Sequence, residues 1–166
     1  MIRVAILTIS DSVAAGTRED QSGAKLREQA HSMGWTTQAS EVVPDEADQI
    51  AAVLRKWADS GHVSLILTTG GTGVAPRDVT PEATASVIDR SIPGLAELMR
   101  LEGLKSTPFA ALSRGLAGVR RHCLIVNLPG SPKGAVESFD AIAKLVPHIV
   151  DLLEGRTAHV EVHVSH

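Results

Sequence analysis

The sequence predicts an α/β fold: a three-layer sandwich with a mostly parallel central sheet, helices on both faces and a C-terminal edge strand. Three observations carry this. Short apolar runs alternate with helical patterns in βαβα order, which builds parallel strands joined by crossover helices. The runs at 3–9 and 63–67 are almost continuously apolar, as in strands covered on both faces. Each run then ends in a polar or glycine-containing loop, beside the start of the next helix.

The elements follow in order. Residues 3–9 read as the first strand. Residues 20–33 form an amphipathic helix stopped by Gly34, since glycine takes the left-handed conformation that closes a helix. Residues 36–43 are a second strand with β-branched content, and 45–60 a helix stopped by Gly61. A third strand covers 63–69, helices cover 80–90 and 94–103, and a fourth strand covers 124–128. Residues 131–153 read as one long helix kinked at Pro147, because proline cannot donate inside a helix. In the tail, Val160, Val162 and Val164 alternate with His159, Glu161 and His163, the pattern of a half-buried edge strand. His159 and His163 offer metal ligands around Glu161, and a solvated polar face accounts for the same pattern. The expected organisation is one domain over 1–155, with 156–166 as an edge strand of it.

Composition narrows the function classes. A chain of 166 residues with 43% hydrophobic content suits one globular domain. A net charge of −3 supplies no basic field for nucleic acid. Two Phe, two Trp and no Tyr leave little for base stacking, so an adenine would sit against backbone and aliphatic side chains. One cysteine, Cys123, excludes an intrachain disulfide and a multi-cysteine metal site, and reads as a buried strand residue. No stretch is long enough to span a bilayer. The N-terminus reads as a strand rather than a signal peptide, so a cytoplasmic location is the default expectation.

The chemistry gathers after the strands. Ser10-Asp11-Ser12, Pro44-Asp45-Glu46, Gly70-Gly71-Thr72-Gly73 and Pro129-Gly130-Ser131-Pro132-Lys133 each follow one. If the strands are parallel, all four loops meet at the carboxyl edge of the sheet, where open α/β folds bind ligands. A glycine loop between strand and helix turns N–H groups towards phosphate. Asp78 cannot itself hold an anion and suggests a cation in the same site, most simply nucleotide-bound Mg²⁺. Bland readings compete. Thr80-Pro81-Glu82 is a good helix start, with Thr80 as cap, which leaves Arg77 and Asp78 unexplained. Asp45 reads equally as a helix cap, and Asp11 as a turn residue. Lys133 in a first turn opposes the helix dipole, which a bound anion or a nearby carboxylate would relieve. Arg114 is either a second anion ligand or a surface residue. The P-loop, dinucleotide and nucleophile-elbow patterns are absent.

Five segments resemble the molybdenum cofactor biosynthesis family, which includes the molybdopterin adenylyltransferases and the G domains of the plant and animal cofactor proteins. They are Thr8–Asp11, Val43–Glu46, Thr69–Gly73 with Arg77–Glu82, Pro108–Arg114 and Asn127–Lys133. The resemblance covers roughly residues 1–155. It implies adenylyl transfer from ATP to the terminal phosphate of molybdopterin, releasing pyrophosphate. It places Asp45 and Asp78 as the essential Mg²⁺-associated aspartates. Thr69, Gly70, Gly71, Thr72 and Gly73, with Arg77 and Arg114, would serve the phosphates. Ser10, Asp11, Pro129, Gly130, Ser131 and Lys133 would help bind the two substrates. It also implies a homotrimer and a separate molybdenum-insertion protein as partner. A non-catalytic molybdopterin carrier or scaffold and a nucleotide pyrophosphatase are the alternatives.

Overall fold

A computed structural model describes residues 1–156 of the chain. The tail strand expected at 158–166, with His159, Glu161 and His163, lies outside the described residues. Six strands form one sheet in the order β2-β1-β3-β6-β5-β4. These are β1 (Arg3–Ile9), β2 (Thr36–Val43), β3 (Leu65–Thr69), β4 (Arg90–Ser91), β5 (Ala117–Arg120) and β6 (Cys123–Leu128). The four strands β2, β1, β3 and β6 run parallel, while β5 and β4 add an antiparallel edge.

Alternation along the strands divides the core in two. Val4 and Ile6 of β1, with Leu65, Leu67, Leu124 and Val126, face one layer of helices. That layer holds α2 (Gln21–Ser32), α5 (Pro93–Leu104), α6 (Pro132–Ile142) and α7 (Val146–Leu153). Ala5, Leu7 and Ile9, with Ile66 and Ile125, face α3 (Ala47–Asp59) and α4 (Thr80–Ala85). On α3 the buried residues Ile50, Leu54 and Trp57 recur at helical spacing and form its apolar stripe. Phe139 is fully buried and meets the edge of Trp35 at 5.6 Å between ring centroids. Burying a side chain of that size contributes roughly 1.5–3 kcal/mol.

Four features differ from the sequence expectation. A single turn, α1 (Asp11–Ala14), follows β1 directly and is capped by Ser10. The β5–β6 hairpin turns through Arg121 and His122, with Arg121 at φ 53°. Its backbone N–H donates to Asp89, so side-chain anchoring replaces the glycine that such turns favour. The helix at 80 ends at Ala85, and the chain then pairs as β4. The long C-terminal helix breaks at 143–145 in a 3₁₀ turn, not at Pro147. Pro147 sits in the first turn of α7, where its missing N–H has no partner to lose.

Candidate functional site

Because β1, β2, β3 and β6 are parallel, the four loops do meet at one edge. Backbone and side chain lock them together. Gly70 N–H donates to Leu128 O at 3.1 Å, and Thr69 Oγ1 to Pro129 O at 2.6 Å, joining the β3 and β6 loops. Gly70 has φ +103°, and a Cβ there would collide with the carbonyl of Ile9. Gly71 has φ +68°, and its Cβ would strike Thr80 Oγ1 and stand 3.1 Å from Asp45 Oδ1. The close packing of loop on loop therefore requires glycine at both places.

Thr80 is not a helix cap. It is fully buried, lies within α4, and donates to Gly70 O at 2.9 Å, holding the glycine loop. Asp45 is not a cap either, because Glu46 occupies that position. Instead Asp45 and Asp11 exchange hydrogen bonds. Asp11 N–H donates to Asp45 Oδ2 and Asp45 N–H donates to Asp11 Oδ1, each at 3.0 Å.

The two arginines expected to meet phosphate meet protein. Arg77 grips Asp11 through Nε at 2.6 Å and Nη2 at 3.0 Å, and Nη2 also reaches Glu46 at 3.0 Å. Arg114 donates to Gly73 O at 2.8 Å, Asp78 O at 2.6 Å and Glu82 Oε1 at 2.5 Å. It clamps the glycine loop against the Asp78 turn. Lys133 lies 3.7 Å from Glu137, so a carboxylate one turn on accounts for its place in the helix.

Electrostatics follow from these contacts. The Arg77 hydrogen bond and the Asp45 N–H hold the Asp11 carboxyl below its usual range. Asp45 is pushed up, first by burial and then by the negative charges of Asp11 and Asp78. Asp78 Oδ2 accepts from Ala75 N–H at 3.0 Å. Among the described residues, Oδ1 of Asp45 and Oδ1 of Asp78 take no hydrogen bond.

Two cavities open at this edge and share Gly71, Asp78, Gly130 and Ser131. The first, of about 330 Å³, is polar, with Thr8, Ser10, Asp20, Asp45, Thr69 and Gly70 on its walls. The second, of about 410 Å³, has Thr72, Gly73 and Pro129 on one side and Ala96, Met99, Phe109 and Leu112 on the other. Small-molecule sites are of this size and mixed character.

A family model described as "Probable molybdopterin binding domain" matches residues 5–148. The chain belongs to this family. It is 45% identical to the Molybdenum cofactor synthesis protein cinnamon of Drosophila melanogaster, over 99% of this chain and 28% of that protein. It is 42% identical to the Molybdopterin adenylyltransferase of Helicobacter pylori J99, over 96% of this chain and 92% of that protein. The crystal structure of the molybdopterin biosynthesis enzyme MoaB from Thermus thermophilus superposes with a TM-score of 0.88. That relative is 55% identical, with 93% of this chain and 98% of that one covered. The chain is thus a molybdopterin-biosynthesis protein of the type that includes the adenylyltransferases and MoaB. It spans most of the bacterial relatives and under a third of the Drosophila protein. No helix among the described residues is long and apolar enough to cross a membrane.

In this molybdopterin-binding domain, eleven of the sequence-selected residues line the two cavities: Ser10, Asp45, Thr69, Gly70, Gly71, Thr72, Gly73, Asp78, Pro129, Gly130 and Ser131. Asp11, Arg77 and Arg114 do not line either cavity, with Arg77 exposed, and Lys133 lies in a shallow groove between α2 and α6. Three contributors were not selected as site residues from the sequence, although Asn127 opens one of the five segments. Asn127 interrupts an apolar strand, and its buried amide donates to Thr68 and Thr84 and accepts from Leu116 N–H. That polar interruption was the available signal. Asp20 caps α2 and accepts from Thr8 on the polar cavity's wall. Arg100 follows the apolar stripe of α5 into the second cavity.

The residues present fit a magnesium ion only as a shared one. Among the described residues there is no cluster of three or more His, Cys, Asp or Glu side chains. Among the described residues, Asp45 and Asp78 offer two hard oxygens without protein donors, and the negative charge of Asp78 adds to the upward push on Asp45. Mg²⁺ is commonly held by one or two carboxylates, with water and substrate phosphate completing its octahedron.

Proposed function

We propose that this protein is a molybdopterin adenylyltransferase, transferring AMP from ATP to the terminal phosphate of molybdopterin with release of pyrophosphate. The observation that carries the reading is the pair of cavities meeting at Gly71, Asp78, Gly130 and Ser131. Two substrates seated there would bring their phosphates together at that seam. Residue type and relatives agree with it, since the 42% identical Helicobacter protein bears that name.

The chemistry asks little of acid and base groups. The nucleophile is an oxygen of a phosphate monoester, whose second pKa of about 6 leaves it mostly dianionic at neutral pH. It attacks the α-phosphorus of ATP. The bond from that phosphorus to the bridging oxygen breaks, and the electron pair leaves with pyrophosphate. The protein's task is to orient two polyanions and offset their charge. Asp45 and Asp78 would hold Mg²⁺, which when bound neutralises phosphate charge. Backbone N–H groups of the glycine loop and the start of α6 would meet phosphate oxygens. Arg77 holds Asp11, and Asp11 holds Asp45, so the carboxylate is oriented through a fixed chain of contacts. Arg114 does the same for the turn that carries Asp78.

A second reading rests on the 55% identity to the Thermus MoaB protein. On that reading the same site binds molybdopterin without transferring AMP. The deciding experiment incubates purified protein with molybdopterin, ATP and Mg²⁺ and follows adenylylated molybdopterin and pyrophosphate together. The transferase forms both in equal amounts. Tight binding of molybdopterin with neither product would leave the carrier reading in its place, and pyrophosphate alone would mean a nucleotide hydrolase.

A further inference from the structure

Arg100 lies on α5 among small and apolar residues, after Ala96 and Met99 and before Gly103, and lines the second cavity with them. It is half-buried, and among the described residues it forms no ion pair. Within those residues its hydrogen bonds run from Nη1 to the carbonyls of Ser113 and Gly115, both at 3.4 Å. That is long for N–H···O, where about 2.9–3.0 Å is usual. A guanidinium carries five N–H donors in a rigid fork. One nitrogen is loosely engaged here, and Nε and Nη2 have no acceptor among the described residues. By contrast Arg77, Arg114 and Arg120 each bind a carboxylate.

The cavity's other charged walls are Asp78 and Glu137, neither within ion-pair distance of Arg100, and Glu137 already faces Lys133. The positive end of α6 opens on the same cavity through Ser131 and Gly134. We propose that Arg100 is a substrate-binding residue that takes a phosphate group entering this cavity, with its forked donors filling the role expected of Arg77 or Arg114. The inference rests on reading the cavity as a substrate site. The phosphate belongs either to the nucleotide or to molybdopterin, and separate titrations distinguish them.

The test compares wild type, Arg100→Gln and Arg100→Lys by calorimetric titration with ATP and with molybdopterin in turn, alongside thermal unfolding. The expected result is a loss of tenfold or more for one ligand in Arg100→Gln, a change under twofold for the other, and a smaller loss in Arg100→Lys. Unchanged binding of both ligands in Arg100→Gln overturns the proposal. So does a parallel loss of both with a lowered melting temperature, which would make Arg100 a brace for residues 113–115. A wild-type protein that binds neither ligand overturns this proposal and the functional reading together. A wild type that releases no pyrophosphate, while Arg100→Gln selectively weakens molybdopterin, removes the transferase and leaves Arg100 as the phosphate ligand.

Discussion

Replacing Gly71 by alanine tests the site at its tightest point, and Gly34 supplies the control. Both glycines have φ near +70 to +80°, at +68° and +78°. Both alanine variants therefore incur the left-handed penalty of roughly 1–2 kcal/mol. A Cβ at Gly34 meets nothing within 4 Å, so that penalty is its whole cost. A Cβ at Gly71 would collide with Thr80 Oγ1. Thr80 is fully buried and cannot swing clear, so its bond to Gly70 O is lost. Losing a buried hydrogen bond costs a further ~1–3 kcal/mol. Gly71→Ala should then destabilise by about 2–5 kcal/mol against about 1–2 for Gly34→Ala. For a domain of this size each kcal/mol moves the melting temperature by roughly 2–4 °C. Calorimetry on both variants at one pH reads the difference. Only Gly71→Ala should also weaken ATP or molybdopterin binding, because its Cβ would crowd Asp45 Oδ1. Equal destabilisation of the two variants would refute the claim that loop packing, rather than backbone conformation alone, demands glycine at 71.

Other expectations follow from the same contacts. Asp45→Asn and Asp78→Asn should each remove most adenylylation while the fold persists, measured by product formation beside circular dichroism; near wild-type turnover would make that carboxylate structural. Native Asp45 titrates above the usual 3.8, so it holds its proton longer than the unfolded chain does, and stability falls as pH rises past that value. Without added metal, Asp45→Asn should melt higher than wild type near pH 7, and the gain should vanish below pH 3.8; a constant gain across that range contradicts the assignment. Arg77→Gln should let the Asp11 carboxyl titrate higher by NMR and lower kcat/KM about tenfold, equivalent to ~1.4 kcal/mol; an unmoved Asp11 titration means Arg77 does not hold it. Arg114→Lys keeps the charge but loses the fork that reaches Gly73, Asp78 and Glu82. It should cost about 1–3 kcal/mol in urea unfolding, and a change within error would deny the clamp.

The parallel half of the sheet was legible because β1, β3 and β6 are nearly continuous apolar runs, β2 is an eight-residue run with β-branched content, and helices of ordinary period lie between. The antiparallel edge was not. β4 has two residues and β5 four, too short for periodicity to register. The β5–β6 turn lacks the glycine that usually marks a hairpin, and Asp89, which anchors Arg121 in it, lies far away in sequence. The break at 143–145 was misplaced because proline forbids a hydrogen bond four residues back, and the helix yields before the proline rather than at it. For the site, residue type and position after a strand found the cavity walls. They could not give the partner of each charged group, because that partner comes from another loop. Asp45 looked like a cap and Thr80 like another, and both face across to neighbouring loops instead.

That distinction bears on how the site balances its charges. Arginines near glycine loops suggest direct phosphate contact, yet Arg77 and Arg114 are occupied by carboxylates and backbone carbonyls. Removing Arg77 would leave Asp11 with only the Asp45 N–H as donor, and removing Arg114 would take a donor from the carbonyls of Gly73 and Asp78. On the proposed reading the two arginines fix acidic groups in place, and Asp45 and Asp78 would concentrate negative charge beside the phosphates. Such an arrangement disfavours a bare anion. It favours one that arrives with a divalent cation, because the cation satisfies both carboxylates and phosphate at once. ATP enters solution chemistry as its magnesium complex, whereas a free phosphate monoester does not need one. The two cavities differ in balance: the polar one carries Glu19, Asp20, Asp45 and Asp78 against Arg18, the other Asp78 and Glu137 against Arg100. On the proposed reading, the polar cavity would take a metal-bearing phosphate, and the cavity holding Arg100 a phosphate without metal.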